Sequence, residues 1–168
     1  LWQSKERIEV LVEDKKLCPR YSAAIFETNK TNLNSATETE KYLTLDDVFL
    51  AKAGMKKISK IVDATNITML LTGQPLHAFD YDKFVKVGGV ETCKISVRAA
   101  KLGEKLELIG GKEIDLIESA IVICSNGVPV ALAGAMGGAA TEIDANTTKI
   151  ILESATFSLY NERKMQMA

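Results

Sequence analysis

No stretch of this chain approaches the roughly 18 consecutive apolar residues that a membrane-spanning helix needs, although 46% of its 168 residues are hydrophobic. The first residues, Leu-Trp-Gln-Ser-Lys, lack the charge pattern and the apolar core of a signal peptide. We therefore expect a cytoplasmic protein with no membrane partner. The length suits one compact domain with a real core.

The cysteines lack the spacing of a metal site. Cys18, Cys93 and Cys124 form no C-x-x-C pair, and the only histidine, His77, is not close to any of them in sequence. Zinc ligands usually come in such pairs, and an odd number of cysteines argues against a disulfide framework. We predict buried or half-buried free thiols and no bound metal.

The chain has no excess of positive charge. Its 21 lysines and arginines face 22 aspartates and glutamates, which gives a formal net charge of -1. Phosphate neutralisation supplies most non-specific affinity for nucleic acids, so a free-standing RNA binder would show a basic face. If RNA is a partner, most of the affinity must come from elsewhere, and DNA is not an expected partner.

Several short apolar or alternating runs predict strands. These runs cover residues 7–13, 21–27, 94–99, 105–109, 120–124, 128–133 and 149–152. Gly110-Gly111 and Ser125-Asn126-Gly127 are predicted hairpin turns, and the polar run 28–40 is predicted to be a loop. Strands and helices do not alternate regularly, so we predict an α+β fold with mixed or antiparallel sheets and a few short helices, in a single compact module.

Two helices are predicted in the first half of the chain. A Thr-Leu-Asp-Asp start predicts a helix over residues 44–53, which Gly54 would end. A second short helix is expected over residues 66–72 and would end at Gly73. This places His77 just beyond a helix end.

The small-residue loop 134–138, Gly-Ala-Met-Gly-Gly, differs from the simple turns because it directly follows an apolar strand. A backbone with so few side-chain atoms can approach a ligand closely and offer N–H groups to it. The loop lacks the Lys-Ser/Thr of a P-loop and the G-x-G-x-x-G spacing of a dinucleotide turn. From the residues alone, tight packing is favoured over phosphate binding.

His77 has two readings from the sequence alone: a hydrogen bond to a backbone carbonyl, or a role in a site. Asp63 and Asp80 are near enough in sequence to orient an imidazole, and equally suited to cap helices or turns. A nucleophile at Ser154 or Thr65 would require a geometry that spacing does not show. No catalytic triad is therefore assigned.

Glu153 stands within an otherwise apolar run, Ile-Ile-Leu-Glu-Ser-Ala. A carboxylate that faces the interior is costly without a polar partner. An inward Glu153 therefore predicts a polar ligand or neighbour, whereas an outward Glu153 on an edge strand would need neither.

Four phrases in order resemble the tRNA-editing module in the beta subunit of bacterial-type phenylalanyl-tRNA synthetase. They are CPRY (18–21), GQPLHAFD (73–80), PVALAGAMGG (129–138) and ILESATF (151–157). The resemblance spans nearly the whole chain. It implies hydrolysis of tyrosine that has been wrongly attached to phenylalanine tRNA, in a pocket remote from the synthetic site.

The resemblance also implies which residues form the pocket. Three residues are implied to act in catalysis by fixing the substrate or the water: His77, Asn66 and Thr65. The group implied to bind the substrate comprises Glu153, Ala133, Gly134, Met136 and Gly137. Glu153 would accept the phenolic hydroxyl of tyrosine, and His77 would position the tRNA terminus or a water molecule.

This chain departs from the family pattern in the wall of that pocket. Ser59-Lys60 stands where the family usually has Asn-Asn, and Ile67 follows Asn66 where a bulky aromatic is usual. A further pocket-lining Thr-Asp-Ala-Ser segment of the family does not occur before Ala168. Two other functions stay open: a non-catalytic tRNA-docking or interface module with a vestigial pocket, and, less favoured, a free-standing esterase.

The resemblance implies partners and a division of the chain. The partners are the synthetase alpha subunit, in a heterotetramer of two alpha and two beta subunits, and the 3′ end of tRNA(Phe). No cofactor is expected in this chain, whereas ATP and Mg²⁺ are expected for the holoenzyme. Because the chain begins with leucine, we expect a piece of a longer polypeptide: a lead-in strand over 1–17, the tRNA-editing domain over 18–160 and a truncated continuation over 161–168.

Overall fold

Strands dominate the described part of the structure; its α-helices lie between residues 45 and 88, and a short 3-10 helix covers Ala139–Thr141. The structure is a computed structural model that describes residues 2–27 and 44–158. The helices are α1 (Leu45–Lys52), α2 (Lys60–Thr72) and α3 (Tyr81–Gly88). The strands are β1 (Trp2–Gln3), β2 (Ile8–Val12), β3 (Arg20–Glu27), β4 (Leu76–Asp80), β5 (Cys93–Ala99), β6 (Lys105–Glu107), β7 (Glu113–Asp115), β8 (Ile121–Ser125), β9 (Val128–Leu132), β10 (Met136–Gly137) and β11 (Lys149–Thr156). The predicted loop 28–40 and the predicted continuation 161–168 lie outside the described residues.

One sheet has the order β1-β3-β11-β4, and all its pairs are antiparallel. Successive side chains of a strand point to opposite faces, so β11 presents alternate residues to two different surroundings. On one face Ile151 packs with Ile25 and Phe79 in the main core. On the other face Ile150 packs with Ala78 and with Ile61 of α2. We call these the inner and the outer face.

The other large sheet has the order β10-β9-β8-β5-β2. The pair of β2 and β5 is parallel and the remaining pairs are antiparallel, so the sheet is mixed. Ile95, Val97 and Ile123 of this sheet join the same core as the inner face of the first sheet. The predicted α+β fold with mixed and antiparallel sheets is confirmed.

The helix starts follow from capping side chains. The predicted helix start at Thr44 is present as a capping box: Thr44 accepts a hydrogen bond from the Asp47 N–H, and the Asp47 carboxylate accepts from the Thr44 N–H. Ser59 caps α2 by accepting from Val62 N–H. The prediction of a short helix over 66–72 was therefore wrong at its start, because Ser59 supplies an earlier cap, and right at its end, where Gly73 adopts φ 75°.

The chain between α2 and β5 differs most from the prediction. His77 lies just beyond the end of α2, as predicted, but it belongs to a strand and is the second residue of β4. Asp80 ends this strand and at once caps α3 by accepting from Lys83 N–H. The missed helix carries buried Tyr81 and Phe84 three residues apart, a spacing that brings side chains to one helix face.

The predicted hairpins are present. β6 and β7 pair around Gly110-Gly111, and β8 and β9 pair around Asn126-Gly127, where both turn residues have positive φ, 45° and 88°. The three cysteines are free and buried, as predicted. None of the helices in the described part of the chain is long and apolar enough to cross a membrane.

Candidate functional site

Glu153 and His77 are neighbours across the strand pair β11 and β4. The antiparallel register places Glu153 opposite His77 on one side and opposite Ala23 of β3 on the other. Residues paired in this way point to the same face of a sheet, with Cα atoms about 4.5–5.5 Å apart. Because Ile151 of the same strand packs in the inner core, Glu153 also points to the inner face.

Glu153 is a buried carboxyl group with a polar neighbour. It is 5% exposed, and the phenol of Tyr21 donates a hydrogen bond of 3.0 Å to Oε2. Burial raises the pKa of the Glu153 carboxyl to about 7, and the hydrogen bond from Tyr21 opposes this rise. Burial and the nearby carboxylate raise the pKa of Tyr21 well above its usual value, so Tyr21 remains a donor at neutral pH.

His77 is neutral at physiological pH. Burial lowers the pKa of its imidazole to about 4, since a desolvated cation is disfavoured. The ring meets Phe79 edge-on, with centroids 4.4 Å apart. An uncharged imidazole beside Glu153 offers a hydrogen-bonding group and not a counter-charge.

Gly137 closes over the imidazole. A Cβ atom at Gly137 would lie 2.7 Å from Cε1 and 2.9 Å from Nε2 of His77, and 3.1 Å from Cδ1 of Ile109. Real Cβ atoms almost never approach so closely, so glycine is required unless the ring moves. The Ile109 N–H donates to the Gly137 carbonyl at 3.0 Å, which ties the turn after β6 to this loop. The tight packing favoured from the residues alone is present at Gly137, where the loop packs against the His77 ring.

The other loop residues named from the sequence have different surroundings. Ala133 is buried in the main core, Gly134 is exposed with φ 67°, and Met136 is 47% exposed. The N–H groups of Ala135 and Gly138 already donate to carbonyls of β9, at 3.3 and 2.8 Å. These two groups are therefore engaged and do not face a ligand as free donors.

Thr65 and Asn66 lie on α2, which packs beside the edge strand β4. The Thr65 hydroxyl donates to the Val62 carbonyl at 2.7 Å, within its own helix. Asn66 is half-buried. The structure thus brings Glu153, His77 and Gly137 together on the inner side of the sheet, whereas Thr65 and Asn66 lie on α2, whose Ile61 packs on the outer face.

The acidic and hydroxyl groups considered for a triad are engaged elsewhere. Asp80 caps α3 and accepts from the Thr147 hydroxyl at 2.6 Å, and Asp63 accepts from the Ile58 N–H at 2.9 Å. Ser154 follows Glu153 in β11 and so points to the outer face. The capping reading of Asp63 and Asp80 is the correct one, and within residues 2–27 and 44–158 these groups form no Ser-His-Asp arrangement with His77.

Sequence reasoning missed three residues of this site. Tyr21 bonds Glu153, Ile109 packs against Gly137, and Gln74 ties the start of β4 to β11 by donating from Nε2 to the Ala155 carbonyl at 3.0 Å. Two of them stood within quoted phrases, CPRY and GQPLHAFD, but nothing in their spacing indicated the partner. In the described ranges 2–27 and 44–158, no group of three or more His, Cys, Asp or Glu side chains is placed to hold a metal ion.

Comparison with known proteins gives a consistent family. Residues 17–168 match the model of the B3/4 domain. The chain is 41% identical over 146 residues to the phenylalanine–tRNA ligase beta subunit of Synechococcus sp. (strain JA-3-3Ab), covering 87% of this chain and 17% of that protein. The corresponding subunit of Dehalococcoides mccartyi (strain CBDB1) is 40% identical over 160 residues, covering 95% of this chain and 18% of that protein. That of Streptococcus mutans (strain ATCC 700610 / UA159) is 50% identical over 115 residues, 68% of this chain and 14% of that protein.

The fold is similar to a solved structure, an N-terminal fragment of the phenylalanyl-tRNA synthetase beta subunit from Pyrococcus horikoshii. The TM-score is 0.55, with 95% of this chain and 47% of that chain covered. At 16% identity this likeness concerns the fold alone. The chain spans less than a fifth of the length of each of these three curated relatives. On the match over residues 17–168 and the identities of 40–50%, the chain belongs to the B3/4 domain family and is similar to one segment of phenylalanine–tRNA ligase beta subunits.

Proposed function

We propose that this chain carries the post-transfer editing site of a phenylalanyl-tRNA synthetase beta subunit, which hydrolyses tyrosine wrongly esterified to tRNA(Phe). The observation that carries the proposal is the buried Glu153 carboxyl, which already binds one phenol, that of Tyr21. A carboxyl group at this place has the chemistry needed to recognise a second phenol, the one that distinguishes tyrosine from phenylalanine.

A second recognition step is needed for a physical reason. An apolar synthetic pocket rejects a substrate that merely adds a hydroxyl by only about 100-fold. In the editing site the same hydroxyl becomes the recognised group. Phenylalanine would leave Glu153 buried and without that partner, at a cost of roughly 1–3 kcal/mol.

The aminoacyl ester is already reactive, so the site needs to hold it beside a water molecule more than it needs a strong base. His77 is suited to positioning the tRNA terminus or the water because its imidazole is neutral at pH 7 and still offers a hydrogen-bonding nitrogen. Thr65 and Asn66, on the adjoining helix, are proposed to fix the substrate. Gly137 lets the loop pass close to the ring without filling the space that the substrate would occupy.

The proposed partners follow from the relatives. We propose that the chain works within a beta subunit that assembles with the alpha subunit, as two alpha and two beta chains, in the cytoplasm, and that it meets the 3′ end of tRNA(Phe). ATP and Mg²⁺ would serve ligation elsewhere in the holoenzyme. A net charge of -1 fits a site to which other parts of the enzyme deliver the tRNA.

The direct test is deacylation of Tyr-tRNA(Phe) and Phe-tRNA(Phe) by the parent synthetase with Glu153→Ala. We expect the ratio of the two rates to fall about tenfold or more, because the phenol loses its acceptor. Glu9→Ala, at an exposed glutamate on β2, is the matched control and should leave the ratio unchanged. An unchanged ratio in Glu153→Ala would contradict the proposal and favour a non-catalytic module.

Gly137→Trp tests the space above His77. The indole would collide with the imidazole and with Ile109, so hydrolysis of Tyr-tRNA(Phe) should be lost while phenylalanine activation, at a different site, continues. Ala135→Trp changes an exposed position of the same loop that is not among the proposed pocket residues, and it should retain hydrolysis. Equal loss of hydrolysis and activation in Gly137→Trp would indicate misfolding instead.

A further inference from the structure

Tyr21 is the polar side chain that touches the Glu153 carboxylate, and the sequence patterns assigned it no role. It lies on β3 opposite Ala155, and Glu153 lies opposite Ala23, so the tyrosine approaches the carboxylate diagonally across the strand pair. Its phenol donates 3.0 Å to Oε2. Both side chains point to the inner face, where the main core surrounds them.

This contact leaves the two carboxylate oxygens unequal. Oε2 accepts from Tyr21, so Oε1 is the oxygen that an incoming phenol would meet. The hydrogen bond also restricts the torsion of the terminal carboxylate, which is otherwise a broad rotation. A group fixed before binding loses less entropy on binding and discriminates more sharply.

We propose that Tyr21 is a positioning residue that holds Glu153 by Oε2 and presents Oε1 to the phenolic hydroxyl of the aminoacyl ester. The proposal rests on the editing function proposed above. Tyr21 thereby determines specificity without contacting the scissile ester. It also supplies a donor that favours the ionised, accepting form of Glu153.

The groups around Glu153 come from each neighbouring element. Tyr21 is on β3, Cys18 precedes that strand and His77 is on β4, while Cys93 of β5 lies near Tyr21. Burial raises the pKa of Cys18 to about 11 and that of Cys93 to about 12, and it lowers the pKa of His77 to about 4. Among these groups, Glu153, with a pKa of about 7, is the one that titrates near neutral pH.

The experiment measures kcat/KM for hydrolysis of Tyr-tRNA(Phe) and Phe-tRNA(Phe) by the whole synthetase carrying Tyr21→Phe. We expect a loss of about tenfold for the tyrosyl ester and little change for the phenylalanyl ester. Tyr81→Phe is the matched control, because Tyr81 is another buried tyrosine whose hydroxyl donates to a carboxylate, that of Glu6, at a different place. It should leave both esters unchanged.

Two further readouts separate positioning from a general structural effect. In the Glu153→Ala background, Tyr21→Phe should cause no additional loss of discrimination, because the group it positions is gone. In the otherwise unchanged enzyme, discrimination should rise with pH through about 7 as Glu153 ionises. Tyr21→Phe should move this rise to higher pH, since the hydrogen bond that lowers the pKa of Glu153 is lost.

The outcomes are distinguishable. Equal loss for both esters, or the same loss in the Glu153→Ala background, would overturn the positioning role. An unchanged ratio and pH profile in Tyr21→Phe, with a reduced ratio in Glu153→Ala, would overturn it while the editing function stands. An unchanged ratio in Glu153→Ala would overturn both.

Discussion

Both large sheets bury an ionisable side chain, but the partners differ: one side chain has a charged partner and the other has neutral ones. Arg98 of β5 is 4% exposed, and Glu153 of β11 is 5% exposed. Arg98 makes two hydrogen bonds to the Glu104 carboxylate, at 2.6 and 2.9 Å, and two more to the carbonyls of Ala99 and Gly127, both at 2.9 Å. Glu153 has a neutral phenol and a neutral imidazole as its polar neighbours.

The difference shows in the pKa values. The Arg98 hydrogen bond lowers the pKa of Glu104, and the Glu104 hydrogen bond raises the pKa of Arg98, so both groups stay ionised. Burial raises the pKa of Glu153 instead. A buried ion pair with its hydrogen bonds complete is a structural element, whereas a buried carboxyl with a strongly shifted pKa is a candidate functional group. Arg98 and Glu153 are buried to the same extent, so it is the charge of their hydrogen-bond partners that distinguishes them.

The largest expected effect is the loss of stability in Arg98→Met. Methionine fills similar space but removes the Arg98 donors from the Glu104 carboxylate, which keeps only its hydrogen bond from the Lys101 N–H, and from two backbone carbonyls. We expect the free energy of unfolding of the chain to fall by about 3–5 kcal/mol, measured by urea denaturation at pH 7.

Lys105→Met is the matched control, because Lys105 forms ion pairs with Glu113 and Asp115 on the exposed surface. Such pairs contribute about 0–1 kcal/mol, so little change is expected. Similar losses of stability in the two variants would contradict the inference that the buried Arg98–Glu104 pair stabilises the fold more than an exposed ion pair does.

A smaller effect of opposite sign is expected for Glu153→Gln at pH 8. Raising the pKa from 4.5 to about 7 means that ionised Glu153 destabilises the folded chain, by on the order of 3 kcal/mol at 1.36 kcal/mol per pKa unit. Glutamine keeps an acceptor for Tyr21 and removes the charge, so thermal unfolding should occur at a higher temperature. A lower melting temperature would show that the carboxylate is better satisfied than we infer.

The gain in stability of Glu153→Gln over the unchanged chain should decrease as the pH falls. A raised folded-state pKa means that the native chain binds the proton more tightly between pH 4.5 and 7, so the stability contributed by Glu153 is present at low pH and is lost as the pH rises through that window. The gain in Glu153→Gln should be about 1 kcal/mol at pH 5.5 and close to zero at pH 4. A gain independent of pH would mean that the charge is not its cause.

The smallest effect is expected for Gln74→Ala. The Gln74 amide bonds the carbonyls of Pro75 and Ala155, both at 3.0 Å, and anchors β4 to β11. Its loss should cost about 1 kcal/mol in urea denaturation. Gln74→Glu, which keeps the length but offers no amide donor, should lose about as much, and full stability in both variants would contradict the anchoring role.

Local signals in the sequence identified many elements but not their partners. The capping box at Thr44, the glycine end of α2 and the hairpin turn at Asn126-Gly127 depend on neighbouring residues, and all three are present. The start of β4 was missed because the segment Leu-His-Ala-Phe-Asp is short and lies between two helices. α3 was missed, although the cap residue Asp80 and the apolar pair Tyr81 and Phe84, three residues apart, indicate a helix.

The site itself was only partly predictable. The apolar run around Glu153 left two directions open, inward with a polar partner or outward on an edge strand, and the structure shows the inward one. Its pairing with His77 joins residues that are far apart in sequence, and the register of two strands is not written in either strand alone. The resemblance named both residues, while their contact required the fold.

The anchoring of β4 at both ends has a consequence for how this site can change. Gln74 holds the start of the strand to β11, and Asp80 holds its end as the cap of α3. A shift of one residue in the pairing of a strand turns every side chain of that strand to the other face of the sheet. One inserted residue between these anchors would therefore turn His77 away from Glu153. This segment should therefore tolerate substitutions far better than insertions or deletions.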